Sequence, residues 1–179
     1  MDRFLRTSVA LFCVALALSA CSTDRKHGLC PTASVLSNTA NATVFKDKMS
    51  GDPSGILYEV AITGVTTDCS FDKNEGTADS SVTVTFHATR TPTGEAAEYS
   101  VPYYLAVTRD STTIVSKQIL TAAVTFQPGE ASTTFTADVP STVVRLDNGK
   151  KPYDYAFLTG LQMTQAQLDY NKKMGRFTP

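Results

Sequence analysis

Side chains that could carry chemistry are few in this chain: two His, four Cys, no Trp, and 17 carboxylates among 179 residues. A hydrolase of the serine class needs a nucleophile, an orienting acid and a base, and the base is usually His. His27 stands beside Arg25 and Lys26, and His87 falls among threonines at strand spacing, so both read as solvated or surface residues. No Gly-x-Ser-x-Gly elbow, Walker loop or His-Glu-x-x-His run is present. A glycosidase needs only two carboxyl groups, and spacing alone leaves Glu95 with Glu98, or Asp110 with Glu130, as formal pairs. His27 with Cys30 and Cys69 does not make a zinc pattern. The expectation is a protein without catalytic residues, metal or cofactor.

Recognition chemistry is represented by tyrosines. Tyr103, Tyr104, Tyr153 and Tyr155 carry the amphipathic rings used against sugars and protein partners, but the i, i+2 spacing of several of them fits core alternation. Tyr104 is the one expected to point outward, as a possible surface-recognition residue. Lys172, Lys173 and Arg176 near the carboxyl end could meet anionic headgroups, although such a cluster is more often a solvated end. With 16 basic and 17 acidic side chains the net charge is −1, which argues against a grip on phosphate backbones, so nucleic acid is not an expected partner.

The first 20 residues have the form of an export signal, with Arg3 and Arg6 followed by the apolar run Val9-Ala10-Leu11-Phe12-Cys13-Val14-Ala15-Leu16-Ala17-Leu18. A spanning helix needs roughly 20 apolar residues, and this run gives way at once to Cys21-Ser22-Thr23-Asp24-Arg25-Lys26. At the junction, Leu18-Ser19-Ala20-Cys21 resembles the lipobox of bacterial lipoproteins. The resemblance implies that Cys21 is the lipidated first residue of the mature chain, its thiol in a thioether and its amine acylated. It also implies a periplasm-facing module anchored to the membrane through that lipid. Ser22 in place of Asp is similar to the arrangement that directs lipoproteins to the outer rather than the inner membrane. An ordinary signal peptide cleaved after Ser19-Ala20 is the competing reading.

Once Cys13 leaves with the signal and Cys21 is lipidated, Cys30 and Cys69 remain, and an even pair in an oxidising compartment is most simply a disulfide. A metal or catalytic thiol is the alternative use. The nine residue steps from Cys21 to Cys30 reach at most about 30 Å, so the domain is expected to sit close to its leaflet.

These residues must be positioned by strands. There are 26 Thr, a β-branched type suited to pleated surfaces, and apolar residues alternate with them between Gly, Pro, Asn and Asp turns. Val82, Val84, Phe86 and Ala88 share one face of a strand, with Thr83, Thr85, His87 and Thr89 on the other. Further strands are expected over 56–67, 99–108, 114–126, 135–139 and 153–159, with Pro102 marking an edge strand or bulge, and with 46–55 and 72–80 as exposed excursions. Thr164 with Gln167 three residues on is a capping-box spacing, and Lys172 and Lys173 suit a helix C-terminus, so a short terminal helix docked by Leu161, Leu168 and Met163 follows.

The expected architecture is an all-β, immunoglobulin-like or fibronectin-like sandwich of about seven strands, with a small barrel as the alternative. The expected boundaries are signal 1–20, tether 21–31, sandwich 32–161, and helix with tail 162–179. The lipobox, the early second Cys and the Leu161-Gln162-Met163-Thr164-Gln165-Ala166-Gln167-Leu168-Asp169-Tyr170-Asn171 ending together are similar to small uncharacterised envelope lipoproteins of proteobacteria, a likeness that brings no activity with it. The functional expectation is an interaction or assembly module with an envelope protein partner. A glycan- or peptide-binding module and a carboxylate-dependent cell-wall or polysaccharide hydrolase are the alternatives.

Overall fold

The computed structural model describes residues 30–46, 51–91 and 95–176. The signal, Cys21, most of the tether and His27 lie outside the described residues. Among the described residues, eight strands and one α-helix follow in order: β1 (Thr32–Val35), β2 (Asn41–Phe45), β3 (Ile56–Asp72), β4 (Thr77–Thr89), β5 (Ala97–Arg109), β6 (Thr113–Phe126), β7 (Ser132–Arg145), β8 (Tyr155–Leu161) and α1 (Gln165–Lys173). They form two four-stranded sheets, β1-β8-β5-β6 and β2-β3-β4-β7, and no closed barrel.

Alternation builds the core. Val82, Val84, Phe86 and Ala88 of β4 are fully buried and meet Val101, Tyr103, Leu105, Val124, Phe126 and Phe157 from the facing sheet. Phe86 makes an edge-on contact with Tyr103 at 5.4 Å and stacks on Phe135 at 5.0 Å. Tyr58 of β3 stacks on Tyr99 of β5 and donates to the Ser100 carbonyl, tying one sheet to the other.

Constant-type immunoglobulin sandwiches order their strands ABED and CFG. The β4–β7 and β5–β8 pairs match the B–E and C–F pairs of that plan, with the chain crossing between sheets after β4, β6 and β7. The plan is left at β6, which widens its sheet beside β5. It is left again at β1, which runs parallel to β8 in the place a G strand would take.

Three expectations are corrected. Thr77 to Ser80 is not part of an excursion: only a short turn with Gly76 at φ +63° separates β3 from β4, and Ala78 and Ser80 face inward. Those inward residues are small or polar, so the strand carries little apolar signal. Pro102 lies in β5, a central strand, and not at an edge. Its carbonyl accepts from the Gln162 amide just past β8, so the missing N–H falls at the end of the β5–β8 ladder, where a single bond is forgone. Finally, β7 does not stop at Pro140 but continues to Arg145, because it is an edge strand that can absorb the proline in an irregularity with Ser141 at φ +49°.

The terminal helix forms as expected. Thr164 Oγ1 accepts from the Gln167 amide, the Gln167 side chain accepts from the Thr164 amide, and Lys172 and Lys173 close the last turn. Its docking is more polar than expected. Gln167 Nε2 donates to the Thr43 carbonyl and Asn171 Nδ2 to the Asn41 carbonyl of β2, while Tyr170 packs edge-on against Phe45. Side chains four apart on a helix rise about 6 Å, and carbonyls two apart on a strand are about 6.7 Å apart. The helix therefore stands in for the missing neighbour of β2.

Candidate functional site

The residues singled out above fall in three places. At one end of the sandwich, Cys30 and Cys69 are disulfide-bonded, with Cα atoms 5.7 Å apart. Cys69 lies in β3 and Cys30 just before β1, so the bridge joins the two sheets where the chain enters the domain. Closing a loop of 39 residues stabilises the fold by about 4 kcal/mol on the chain-entropy model. Thr32 pairs with Ala156 of β8, which places this entry point beside the turns at the start of β8 and the tip of the β5–β6 hairpin.

That end also carries a cluster of ion pairs. The hairpin turn carries Asp110 at φ +53° and Ser111 at φ +61°, the paired positive values of a twist-matched two-residue turn. Arg109 bonds the Asp147 carboxylate, Lys150 bonds Asp110 at 2.7 Å, and the Asp147 amide donates to the Tyr155 hydroxyl. The Arg109 hydrogen bond holds the Asp147 carboxyl below its ordinary range and the guanidinium above its own. Asp110 and Glu130 stand beyond opposite ends of β6, some 45 Å of strand apart at about 3.3 Å per residue, so they cannot form a glycosidase pair. Glu95 and Glu98 lie at the start of β5. The Glu95 carbonyl, with those of Gln127 and Glu130, accepts from the Arg90 guanidinium. Arg90 is buried and stacks over Phe126 at 4.8 Å, a clasp between two turns that its isolated position in the sequence did not signal.

On the outer face of the β2-β3-β4-β7 sheet, a recess of about 360 Å³ is lined by Asn41, Glu59, Ala61, His87, Thr89 and Arg176, among others. His87 stands opposite Ala61, and its Nδ1 shares a hydrogen bond of 3.2 Å with the Thr134 hydroxyl. Glu59 accepts from Thr43 Oγ1 at 3.1 Å and from Arg176 at 2.5 Å, and Arg176 also donates to Thr43. The three-cation end thus divides: Lys172 and Lys173 are solvated, whereas Arg176 clasps the segment after α1 to the sheet. A carboxylate committed to a guanidinium is a fastener and is poorly placed to accept a substrate proton.

Tyr104 does point away from the core, but it is only 7% exposed. Its hydroxyl shares a 2.9 Å hydrogen bond with Thr39, Lys117 Nζ lies 4.5 Å from its ring centre, and the ring covers Gly160 across the β5–β8 ladder. A Cβ on Gly160 would collide with the Thr39 and Tyr104 hydroxyls. The ring is folded down as packing and is not presented as a platform. Among the described residues, no group of three or more His, Cys, Asp or Glu side chains is placed to hold a metal ion, and no helix is long and apolar enough to cross a membrane.

No protein family, curated protein or solved structure matches this chain.

Proposed function

We propose that the chain is an envelope lipoprotein, acylated at Cys21, whose sandwich serves as a non-enzymatic interaction or assembly module held close to the membrane, the outer membrane by the Ser22 rule. The observation that supports this reading is the Cys30–Cys69 bridge. A disulfide at the entry to the domain suits an exported protein. It also sets the rigid body only nine residues from the lipobox cysteine, a reach of at most about 30 Å. Two or three acyl chains hold such a module firmly, at about 0.8 kcal/mol per buried CH₂, without a spanning segment. The partner is a protein, and nucleic acid has no part in the reading. Binding of an extended peptide is a second reading, favoured by the outer edge of β6, which has no partner strand among the described residues.

The test is Cys21→Ala in the full-length chain with metabolic labelling by a fatty-acid probe. Label and membrane association should both be lost. Retained label on the variant would remove the lipobox reading.

A further inference from the structure

Among the described residues the two sheets have four edges; two are short or covered, and a third is interrupted part-way. β1 is only four residues long. β2 is covered by α1 through Gln167 and Asn171. β7 is interrupted by Pro140 and the positive φ of Ser141, which leaves a run of regular pairing over 132–139 that is shorter than the one in β6 and carries Asp138. Short strands, covering elements, prolines and bulges are the usual means by which sheets avoid edge-to-edge association. β6 has little of this: its one register shift lies beside the hairpin turn, and residues 116–126 pair with β5 in unbroken register, without proline. Its one charge, Lys117, lies down over the Tyr104 ring. Ile114 and Ile119 are each 63% exposed and Val115 is 45% exposed.

The direction of the free backbone groups follows from Pro102. Its carbonyl points toward β8, so the Pro102–Thr121 pair is a non-hydrogen-bonded one in the β5–β6 ladder. Thr121 therefore turns its own N–H and C=O away from β5, toward the open edge, as do Lys117, Ile119, Ala123 and Thr125 at the same parity.

We infer that this edge pairs with the β6 edge of a second copy of the chain, antiparallel about a two-fold axis at Thr121, to make one continuous eight-stranded sheet. The strand is self-complementary about that point. Thr121 meets Thr121, Ile119 meets Ala123, and Leu120 meets Ala122, so large residues face small ones. The two Lys117 side chains lie eight positions apart along the ladder, roughly 26 Å, which removes their repulsion. Each odd-numbered pair exchanges two backbone hydrogen bonds, about ten in all. A strand with one charge offers an acidic or basic peptide little to select it, whereas an isologous contact needs only its own complement. The inference gives the interaction-module reading a partner, and rests on that reading only for its biological setting: dimers that persist in Cys21→Ala, or acylation without dimers, separate the two.

The experiment uses the full-length chain in mild detergent. Sedimentation equilibrium should give twice the chain mass. Thr121→Cys should yield a reducible dimer on oxidation, because paired Cα atoms about 5.5 Å apart suit a disulfide, and Val143→Cys on exposed β7 should not. Ile119→Lys, at an exposed position, should weaken association at least tenfold, with an unfolding midpoint equal to the unsubstituted chain's at concentrations low enough that both are monomeric. Thr121→Pro, whose lost N–H faces the open edge, should do the same. A monomer up to about 100 μM, a dimer indifferent to Ile119→Lys, equal cross-linking from Val143→Cys, or cross-links from Thr121→Cys to a different protein would each overturn the inference.

Discussion

Tyr58 shows what a single ring does in this fold. Burial, and next to it the neighbouring Tyr99, push its phenol up to about 12. Because the folded value lies above the unfolded one near 10, this contribution to stability is complete below pH 10 and is lost as pH rises toward 12. Alkaline titration followed at 295 nm should therefore show Tyr58, with Tyr103 also raised by burial, ionising above the ordinary phenol range, and the unfolding midpoint should begin to fall above about pH 10. A full set of seven phenols titrating together near 10 while the protein stays folded would contradict the packing of Tyr58 against Ser100. Gly160 is the complementary case, a residue needed for what it lacks. Gly160→Ala forces the Thr39 and Tyr104 hydroxyls aside and should cost about 1–3 kcal/mol in urea denaturation, whereas Tyr104→Phe, losing one hydrogen bond, should cost about 1 kcal/mol.

Elements differ in how openly their sequences announce them. The β4 stretch from Val82 to Ala88 and the Thr164–Gln167 cap were legible because a period of two and a cap spacing are local. The first turn of β4 was not, since Ala78 and Ser80 carry inward positions without apolar weight. Nor was the seat of α1, where the expected apolar contacts of Leu168 matter less than the reach of Gln167 and Asn171 to β2 carbonyls 124 and 130 residues away. Contacts of that separation leave no periodic trace. Asn171→Ala should remove the hydrogen bond to the Asn41 carbonyl, at a cost of about 1 kcal/mol, and raise amide exchange in β2 well before the rest of its sheet. Unchanged protection in β2 would mean that the helix does not guard that edge.

At the scale of the molecule, the sandwich, the terminal helix and the pairing of Cys30 with Cys69 could be read in advance, while strand order could not, because it is decided by which alternating faces meet after the chain crosses between sheets. The candidate site was less legible: Tyr104 proved to be packing and Arg176 a fastener, and the open edge emerged only by elimination once the other three edges were placed. Replacing both Cys30 and Cys69 by Ser should lower stability by about 4 kcal/mol without altering the far-UV spectrum, and a loss below 1 kcal/mol would show that the bridge closes a loop already closed. The bridge also has a mechanical meaning. Tension on the chain ahead of Cys30 would, without it, fall on four residues of parallel pairing between β1 and β8, which would peel apart bond by bond. With it, the pull passes through sulfur into Cys69 and along a seventeen-residue strand paired with β4 from Glu59 to Asp72 and with β2 over its first residues, Ile56 to Ala61, where many bonds must shear together before any yields.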